Sequence, residues 1–130
     1  MMGTSTPGGA KTNLGLEPNI AGLLCYVPCC IGLVFSVVAA IVEKQSRFVR
    51  FHAFQSLLVH AAAIVLGLGL NVAQVALAVV GVPLVGFLLS LVGLLLGVAF
   101  LGLTIFLMIK ANSGEELELP VAGPMARQWV

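Results

Sequence analysis

Histidine and cysteine are the residue types in this sequence that are best suited to chemistry. Histidine exchanges a proton near neutral pH and binds metals, and the chain has two, His52 and His60. A single neutral imidazole in an apolar pocket can ligate the metal of a tetrapyrrole such as haem. Cys25, Cys29 and Cys30 lie close together, without a second Cys or His pair at zinc-finger spacing. We interpret them as apolar packing residues, with a metal or redox role as the alternative.

The usual residue sets of an enzyme are missing from the sequence. We find no nucleophile beside a base, no phosphate-binding glycine loop, no paired carboxylates and no set of four metal ligands. All carboxylate side chains stand outside the long apolar segments. We therefore predict a non-enzymatic protein with no metal site and no cofactor, and keep a tetrapyrrole bound through His60 or His52 as an alternative.

Composition fixes the class of protein. The chain has 130 residues, of which 60% are hydrophobic and 8% charged, and its mean hydropathy is +1.15. Soluble domains carry about 25% charged residues. This chain is too apolar for a water-facing exterior, so we predict an all-α integral membrane protein. A net charge of +1 gives no reason to expect a nucleic-acid partner.

Three apolar segments are long enough to be membrane spans. Residues 20–42 would reach about 35 Å as one helix, with a possible kink at Pro28. The apolar stretch from His52 to Lys110 must reverse, and Gly81-Val82-Pro83 is its strongest break. We predict three spans, about 20–42, 52–80 and 83–110, with an interfacial segment before the second. Four spans, with breaks at 67–71 and near Ser90, are the alternative.

The positive residues favour one orientation of a three-span protein. Five lie on one side of the membrane in this arrangement, and only Lys11 lies on the other. By the positive-inside rule, the N-terminus is then outside and the C-terminus cytoplasmic. The domains become a flexible tail (1–19), a transmembrane bundle (20–112) and a cytoplasmic tail (113–130). The five residues are Lys44, Arg47, Arg50, Lys110 and Arg127.

Polar and small residues mark the predicted packing faces. On span two they form a stripe that should face protein rather than lipid. Span three has a stripe of small residues that lets another helix approach closely. We expect the two spans to pack through these faces, with oligomerisation through span three as the alternative. The stripes are His52, Gln55, Ser56, His60, Asn71 and Gln74 on span two, and Gly86, Ser90, Gly93 and Gly97 on span three.

The stretch "SRFVRFHAFQS" precedes span two and combines charged with aromatic residues. Ser46 can cap a helix that begins in the headgroup region. Arginines there would reach towards lipid phosphates, and phenylalanines would enter the acyl boundary. We therefore predict an interfacial anchor made of Arg47, Phe48, Arg50, Phe51 and Phe54.

Three segments carry a family resemblance: "GLLCYVPCCIGLVFSVVAAIVEK", "SRFVRFHAFQSLL" and "IKANSGEELELPVAGPMA". With them the chain closely resembles a family of small, largely uncharacterised prokaryotic membrane proteins. That family is distantly related to the small channel component of the chloroplast inner-envelope protein translocon. The resemblance implies a multi-pass protein of the prokaryotic cytoplasmic membrane and supplies no catalytic residue.

The function that we predict from the sequence is structural. Its partners are the lipid bilayer and the helices of other membrane proteins, or further copies of itself, and its role is that of an accessory subunit in a larger complex. One alternative is an oligomeric component of a translocation or transport system, as the resemblance suggests. The other is a subunit that binds a pigment or haem through a membrane histidine.

Overall fold

Five α-helices and no strands make up the part of the chain that the computed structural model describes, residues 12–28 and 30–130. Helix α3 and helix α4 are much longer than the others and form an antiparallel pair. The helices are α1 (Pro18–Leu24), α2 (Cys30–Val42), α3 (Arg47–Val79), α4 (Pro83–Asn112) and α5 (Ala122–Gln128).

The segment predicted to be the first span is divided into two helices. Helix α1 ends at Leu24, and α2 starts only at Cys30, beyond Pro28. Proline lacks an N–H donor and disfavours a helical conformation in the residue before it, which explains a full break where the sequence suggested a kink. With 13 residues, α2 is about 20 Å long, shorter than the roughly 30 Å hydrocarbon core. Residues 20–42 are therefore not one membrane-length helix.

In the described part of the chain, α3 and α4 are the two helices that are long and apolar enough to cross a membrane. Their 33 and 30 residues correspond to about 50 Å and 45 Å. The chain reverses between them at Gly81, whose φ of +80° favours glycine, and α4 begins at Pro83, as the sequence indicates. Helix α3 continues without a break through Gly67 and Asn71, so the four-span alternative lacks the break that it requires.

The buried core lies at one end of the α3–α4 pair, which we call the base. There the first part of α3 and the last part of α4 are covered by α1, α2 and the C-terminal segment. The remaining length of α3 and α4 is apolar and largely exposed, as expected for a surface that faces lipid. The core residues are Ala21, Cys25, Tyr26, Ala39, Phe48, Val49, Ala53, Leu107 and Ala111.

Both predicted tails contribute to the base. Residues 1–11 of the predicted N-terminal tail lie outside the described residues, but residues 12–19 are folded. Thr12 Oγ1 donates a hydrogen bond to the carbonyl of Leu16, and Asn13 bonds to the loop between α2 and α3. The segment 113–130 packs along α3 and contains α5.

Candidate functional site

The polar groups of the base are positioned by the start of α3. Ser46 is the N-cap, and its Oγ accepts a hydrogen bond from the N–H of Val49 at 3.3 Å, as the sequence predicts. The buried carboxylate of Glu43 accepts three more backbone hydrogen bonds, from Asn13 at 2.8 Å, Gln45 at 2.8 Å and Ser46 at 2.9 Å. Glu43 thus ties the N-terminal segment to the first turn of α3.

Two phenylalanines of the predicted interfacial anchor are inside the protein. Phe48 is 3% exposed and Phe51 is fully buried, and both rings pack edge-on against the imidazole of His52. The guanidinium of Arg127, from α5, covers the Phe51 ring at 4.1 Å from its centroid. The prediction that these two side chains enter the lipid boundary is therefore wrong. The sequence pattern did not indicate that α1 and α5 cover this face.

The other predicted anchor residues lie closer to the surface. Arg47 is exposed. Arg50 donates hydrogen bonds to the carbonyls of Glu43 at 3.1 Å and Trp129 at 2.9 Å. The ring of Phe54 is half-buried and packs against that of Trp129, with the centroids 5.5 Å apart. An interfacial role for Arg47, Arg50 and Phe54 stays a prediction.

A closed hydrogen-bond network surrounds His52. Its Nε2 lies 3.2 Å from the carbonyl oxygen of Glu115, an acceptor, so Nε2 carries the proton. Its Nδ1 therefore accepts the hydroxyl proton of Tyr26 at 3.0 Å. The Tyr26 oxygen in turn accepts a hydrogen bond from Gln55 Nε2 at 3.0 Å. Because both ring nitrogens are occupied, His52 has no free nitrogen for a tetrapyrrole metal.

Gln55 joins α3 to the C-terminal segment. Besides Tyr26, its Nε2 donates to the carbonyl of Leu117 at 2.9 Å, and its Oε1 accepts from the N–H of Leu119 at 3.0 Å. Gln55 is fully buried. A buried amide without partners would destabilise the fold, but here three partners surround it.

His60 differs from His52 in having one nitrogen without a partner. The hydroxyl of Ser56 donates to the carbonyl of Cys25, so it has no proton left for His60. The Nδ1 of His60 therefore donates to the carbonyl of Ser56 at 2.8 Å. Its Nε2 is buried and makes no hydrogen bond within the described residues. The ring of Phe100 packs edge-on against the imidazole.

Beyond His60, the predicted polar stripe leaves the core and faces an open groove. Asn71 is exposed and Gln74 half-buried, and both line a groove of about 1000 Å³ between α3 and α4. The C-terminal residues 119–122 and Met125 line it as well. Three of the four predicted small packing residues, Ser90, Gly93 and Gly97, line its α4 side. The fourth, Gly86, approaches the backbone of α3, with its Cβ position 3.8 Å from the carbonyl oxygen of Gln74.

Charged side chains of the C-terminal segment pair with one another and with Lys110 at the end of α4. Lys110 contacts Glu115 at 3.1 Å, and Arg127 contacts Glu116 at 2.7 Å and Glu118 at 3.0 Å. Burial alone lowers the pKa of Arg127, but the hydrogen bonds and negative charges of Glu116 and Glu118 outweigh it and raise the pKa overall. Arg127 therefore stays protonated, which suits its position over Phe51.

The described cysteines do not form a metal site. Cys25 is buried, and its Sγ donates to the carbonyl of Ala21 at 3.3 Å, whereas Cys30 is exposed. Cys29 lies outside the described residues. Within residues 12–28 and 30–130, no three His, Cys, Asp or Glu side chains lie together as metal ligands would.

Comparison with known proteins identifies the family. Residues 15–126 match the model of the magnetosome magnetite crystal formation protein family. The chain belongs to this family. The match includes all of helices α1 to α4 and α5 as far as Ala126.

The family match is accompanied by archaeal relatives. A UPF0132 membrane protein of Methanocaldococcus jannaschii is 40% identical over 92% of this chain and 94% of its own length. A second UPF0132 membrane protein of that archaeon is 36% identical over 89% of this chain and 72% of its own length. A UPF0132 membrane protein of Archaeoglobus fulgidus is 34% identical over 88% of this chain and 97% of its own length. No solved structure matches.

These relatives show a family of small prokaryotic membrane proteins, and the chain is a small membrane protein of that family. This confirms the family part of the resemblance. The matches do not show a link to the chloroplast translocon channel, and the names of the archaeal relatives assign no activity.

Sequence reasoning missed two important residues of this family member, Tyr26 and Glu43. Tyr26 is the only tyrosine of the chain, and its hydroxyl was a polar group in an apolar segment that needed a partner. Glu43 is the only acidic residue between the first two apolar segments and lies three residues before the predicted cap at Ser46. The sequence contains both features, but neither indicates which distant residue the side chain bonds to.

Proposed function

We propose that this protein is a non-enzymatic accessory subunit that binds a transmembrane helix of another membrane protein in the groove between α3 and α4. The unused hydrogen-bonding capacity of two amides in that apolar groove carries the proposal. The side chain of Asn71 donates one hydrogen bond, to the carbonyl of Gly67 in its own helix. The side chain of Gln74 makes none within the described residues.

Amide groups in a membrane favour a protein partner over lipid. An acyl chain offers no hydrogen bond, so an unpaired amide that faces lipid is energetically costly. A helix with a polar side chain or an accessible carbonyl at that depth would satisfy Asn71 and Gln74 and be stabilised by them.

The shape of the groove also suits a helix. Gly97 and Gly67 line it and have open space where a Cβ would be, so a second backbone can approach closely. The groove is open along the membrane-facing length of α3 and α4 and is bounded at the base by residues 119–122. The family description concerns magnetite crystal formation, and the archaeal relatives are named only as membrane proteins. An accessory role is compatible with both descriptions, because it requires only that membrane helices pack together.

Site-specific photocrosslinking in native membranes tests this proposal. A photoreactive phenylalanine analogue replaces Leu96, which lines the groove, or Val98, which is 61% exposed but does not line it. We expect a discrete adduct with a second, different protein from position 96 and not from position 98. Replacing both Asn71 and Gln74 by alanine should abolish this adduct.

Two outcomes would contradict the proposal. Equal adducts from both positions, or none from position 96, would show that the groove has no specific protein partner. An adduct of twice the 13.5 kDa mass of the chain would identify a second copy and support the oligomeric translocation or transport alternative instead.

A further inference from the structure

Contacts at the base show that the residues just before α1 and the residues just after α2 lie at the same depth along the α3–α4 pair. The backbone N–H of Asn13, before α1, donates to the carboxylate of Glu43, just after α2, at 2.8 Å. The backbone N–H of Lys44 donates to Asn13 Oδ1 at 2.7 Å. If residues 20–42 crossed the membrane, Asn13 and Lys44 would be separated by the hydrocarbon core, roughly 30 Å thick.

The chain reverses inside the protein, between α1 and α2. The carbonyl of Cys25, at the end of α1, accepts hydrogen bonds from Ser36 and Ser56. Ser36 lies about 9 Å along α2 from Val42, and Ser56 about 13 Å along α3 from Arg47. The turn therefore lies on the order of 10 Å or more below the loop at 43–46, partway into a bilayer.

This turn has the properties of non-helical backbone within a membrane. Such backbone is tolerated only where protein buries it and satisfies its polar groups. Cys25 and Tyr26 are fully buried, and the N–H of Tyr26 bonds to the carbonyl of Leu23. The carbonyl of Val27 accepts from the N–H of Gly32. The outer face of α2, by contrast, is apolar and exposed, with Ile31, Val34 and Ile41 each at least 60% exposed, as lipid contact requires.

The C-terminal segment lies at the same depth as the residues before α1 and the loop at 43–46. Asn19, in the first turn of α1, donates to the carbonyl of Asn112 at the end of α4. Arg50, in the first turn of α3, donates to the carbonyl of Trp129. The described N-terminal residues, the loop at 43–46 and the C-terminal segment thus form one surface.

We infer that this chain enters the membrane from one side only, with α1 and α2 as a re-entrant hairpin and α3 and α4 as the two crossing helices. Residues 12–16, 43–46 and 113–130 then share one face of the bilayer. The opposite face receives only the uncharged turn at 80–82. All lysines and arginines of the described residues lie on the shared face, so the positive-inside rule makes it cytoplasmic. This arrangement replaces the external N-terminus expected from three spans.

Disulfide crosslinking in native membranes tests the re-entrant hairpin directly. We expect Asn13→Cys and Lys44→Cys in one chain to form an intramolecular disulfide on mild oxidation. Asn13→Cys with Val82→Cys, at the opposite end of the long helices, should form none. If the first pair stays reduced while both thiols react with maleimide in detergent, residues 20–42 cross the membrane and the inference is wrong.

Labelling from each side of the membrane tests the sidedness independently. Glu17→Cys and Gln128→Cys, at exposed positions, are introduced singly into a chain whose native cysteines are serines, and treated with a membrane-impermeant maleimide. Both should react in inverted vesicles and not in intact spheroplasts. Reaction of the two positions from opposite sides would overturn the inference. If the chain with serines in place of its native cysteines fails to fold, the disulfide pairs are tested in the chain that keeps its native cysteines. Each pair is then compared with its two single-cysteine variants, so that a disulfide to a native cysteine is recognised.

Discussion

Gln55 Oε1 accepts a hydrogen bond from the backbone N–H of Leu119 at 3.0 Å, although the two residues are 64 positions apart in the chain. The same amide donates to the carbonyl of Leu117. One side chain of α3 thus pairs with the C-terminal backbone much as a neighbouring strand would. This contact explains why the segment after α4 is folded against the base.

Replacing Gln55 by alanine should release the C-terminal segment. The substitution leaves the carbonyl of Leu117 and the N–H of Leu119 without their partner and costs about 1 to 3 kcal/mol for the buried groups. We expect faster proteolysis after residue 113 and a lower thermal midpoint in detergent. Gln74→Ala is the matched control, since Gln74 makes no side-chain hydrogen bond within the described residues, and it should leave both measurements unchanged.

Tyr26 and His52 should be energetically coupled. Tyr26→Phe removes the hydroxyl that donates to His52 Nδ1, leaving a buried acceptor unpaired at a cost of about 1 to 3 kcal/mol. In a double-mutant cycle with His52→Phe, the double variant should lose less stability than the two single losses combined. Additive losses in the free energy of unfolding would show that the hydrogen bond contributes nothing.

Gly32 should be essential for the turn between α1 and α2. A Cβ at this position would collide with the carbonyl oxygen of Val27 and lie 3.0 Å from that of Cys25. Gly32→Ala should therefore lower the thermal midpoint in detergent. Gly69→Ala places the same methyl group in open space on α3, where alanine favours a helix by up to about 1 kcal/mol, and should leave the midpoint unchanged or raise it. Equal effects would mean that the turn tolerates a side chain.

Glu43→Gln should loosen the connection between the N-terminal segment and α3. Glutamine keeps one carbonyl oxygen where the carboxylate offers two, and hydrogen bonds to a charged group are worth about 1.5 to 3 kcal/mol. We expect faster hydrogen exchange at the amides of Asn13, Gln45 and Ser46. Glu17→Gln changes an exposed carboxylate that makes no capping hydrogen bond to α1, and it should not alter exchange at these amides.

Local features of the fold could be predicted from the sequence. The cap at Ser46 and the turn at Gly81–Pro83 follow from residue types whose backbone preferences act over a few positions. The polar stripe of α3 is likewise a matter of helical periodicity. Its first members, His52, Gln55 and Ser56, are buried as expected of a face that packs against protein.

The contacts that organise the base could not be predicted in this way. Periodicity shows that Phe48 and Phe51 need an apolar environment, but lipid and protein satisfy that need equally well. In the structure the apolar environment is protein, because α1 and α5, which are distant in sequence from Phe48 and Phe51, cover their rings. The division of the first apolar segment at Pro28 could not be predicted either, because a kinked span and a re-entrant turn have the same local sequence pattern. The two differ in long-range contacts: here Ser36 and Ser56 both donate hydrogen bonds to the carbonyl of Cys25.

The long pair of helices has one further consequence. No Asp, Glu, Lys or Arg occurs between Phe51 and Ile109. In the arrangement inferred above, with α3 and α4 crossing the membrane, the reversal at Gly81 therefore reaches the far side without moving a formal charge. The electrical work of translocation is proportional to the charge moved through the membrane potential, and here that charge is zero. Insertion of α3 and α4 should thus proceed equally well in energised and de-energised membranes, driven by the transfer of apolar surface alone.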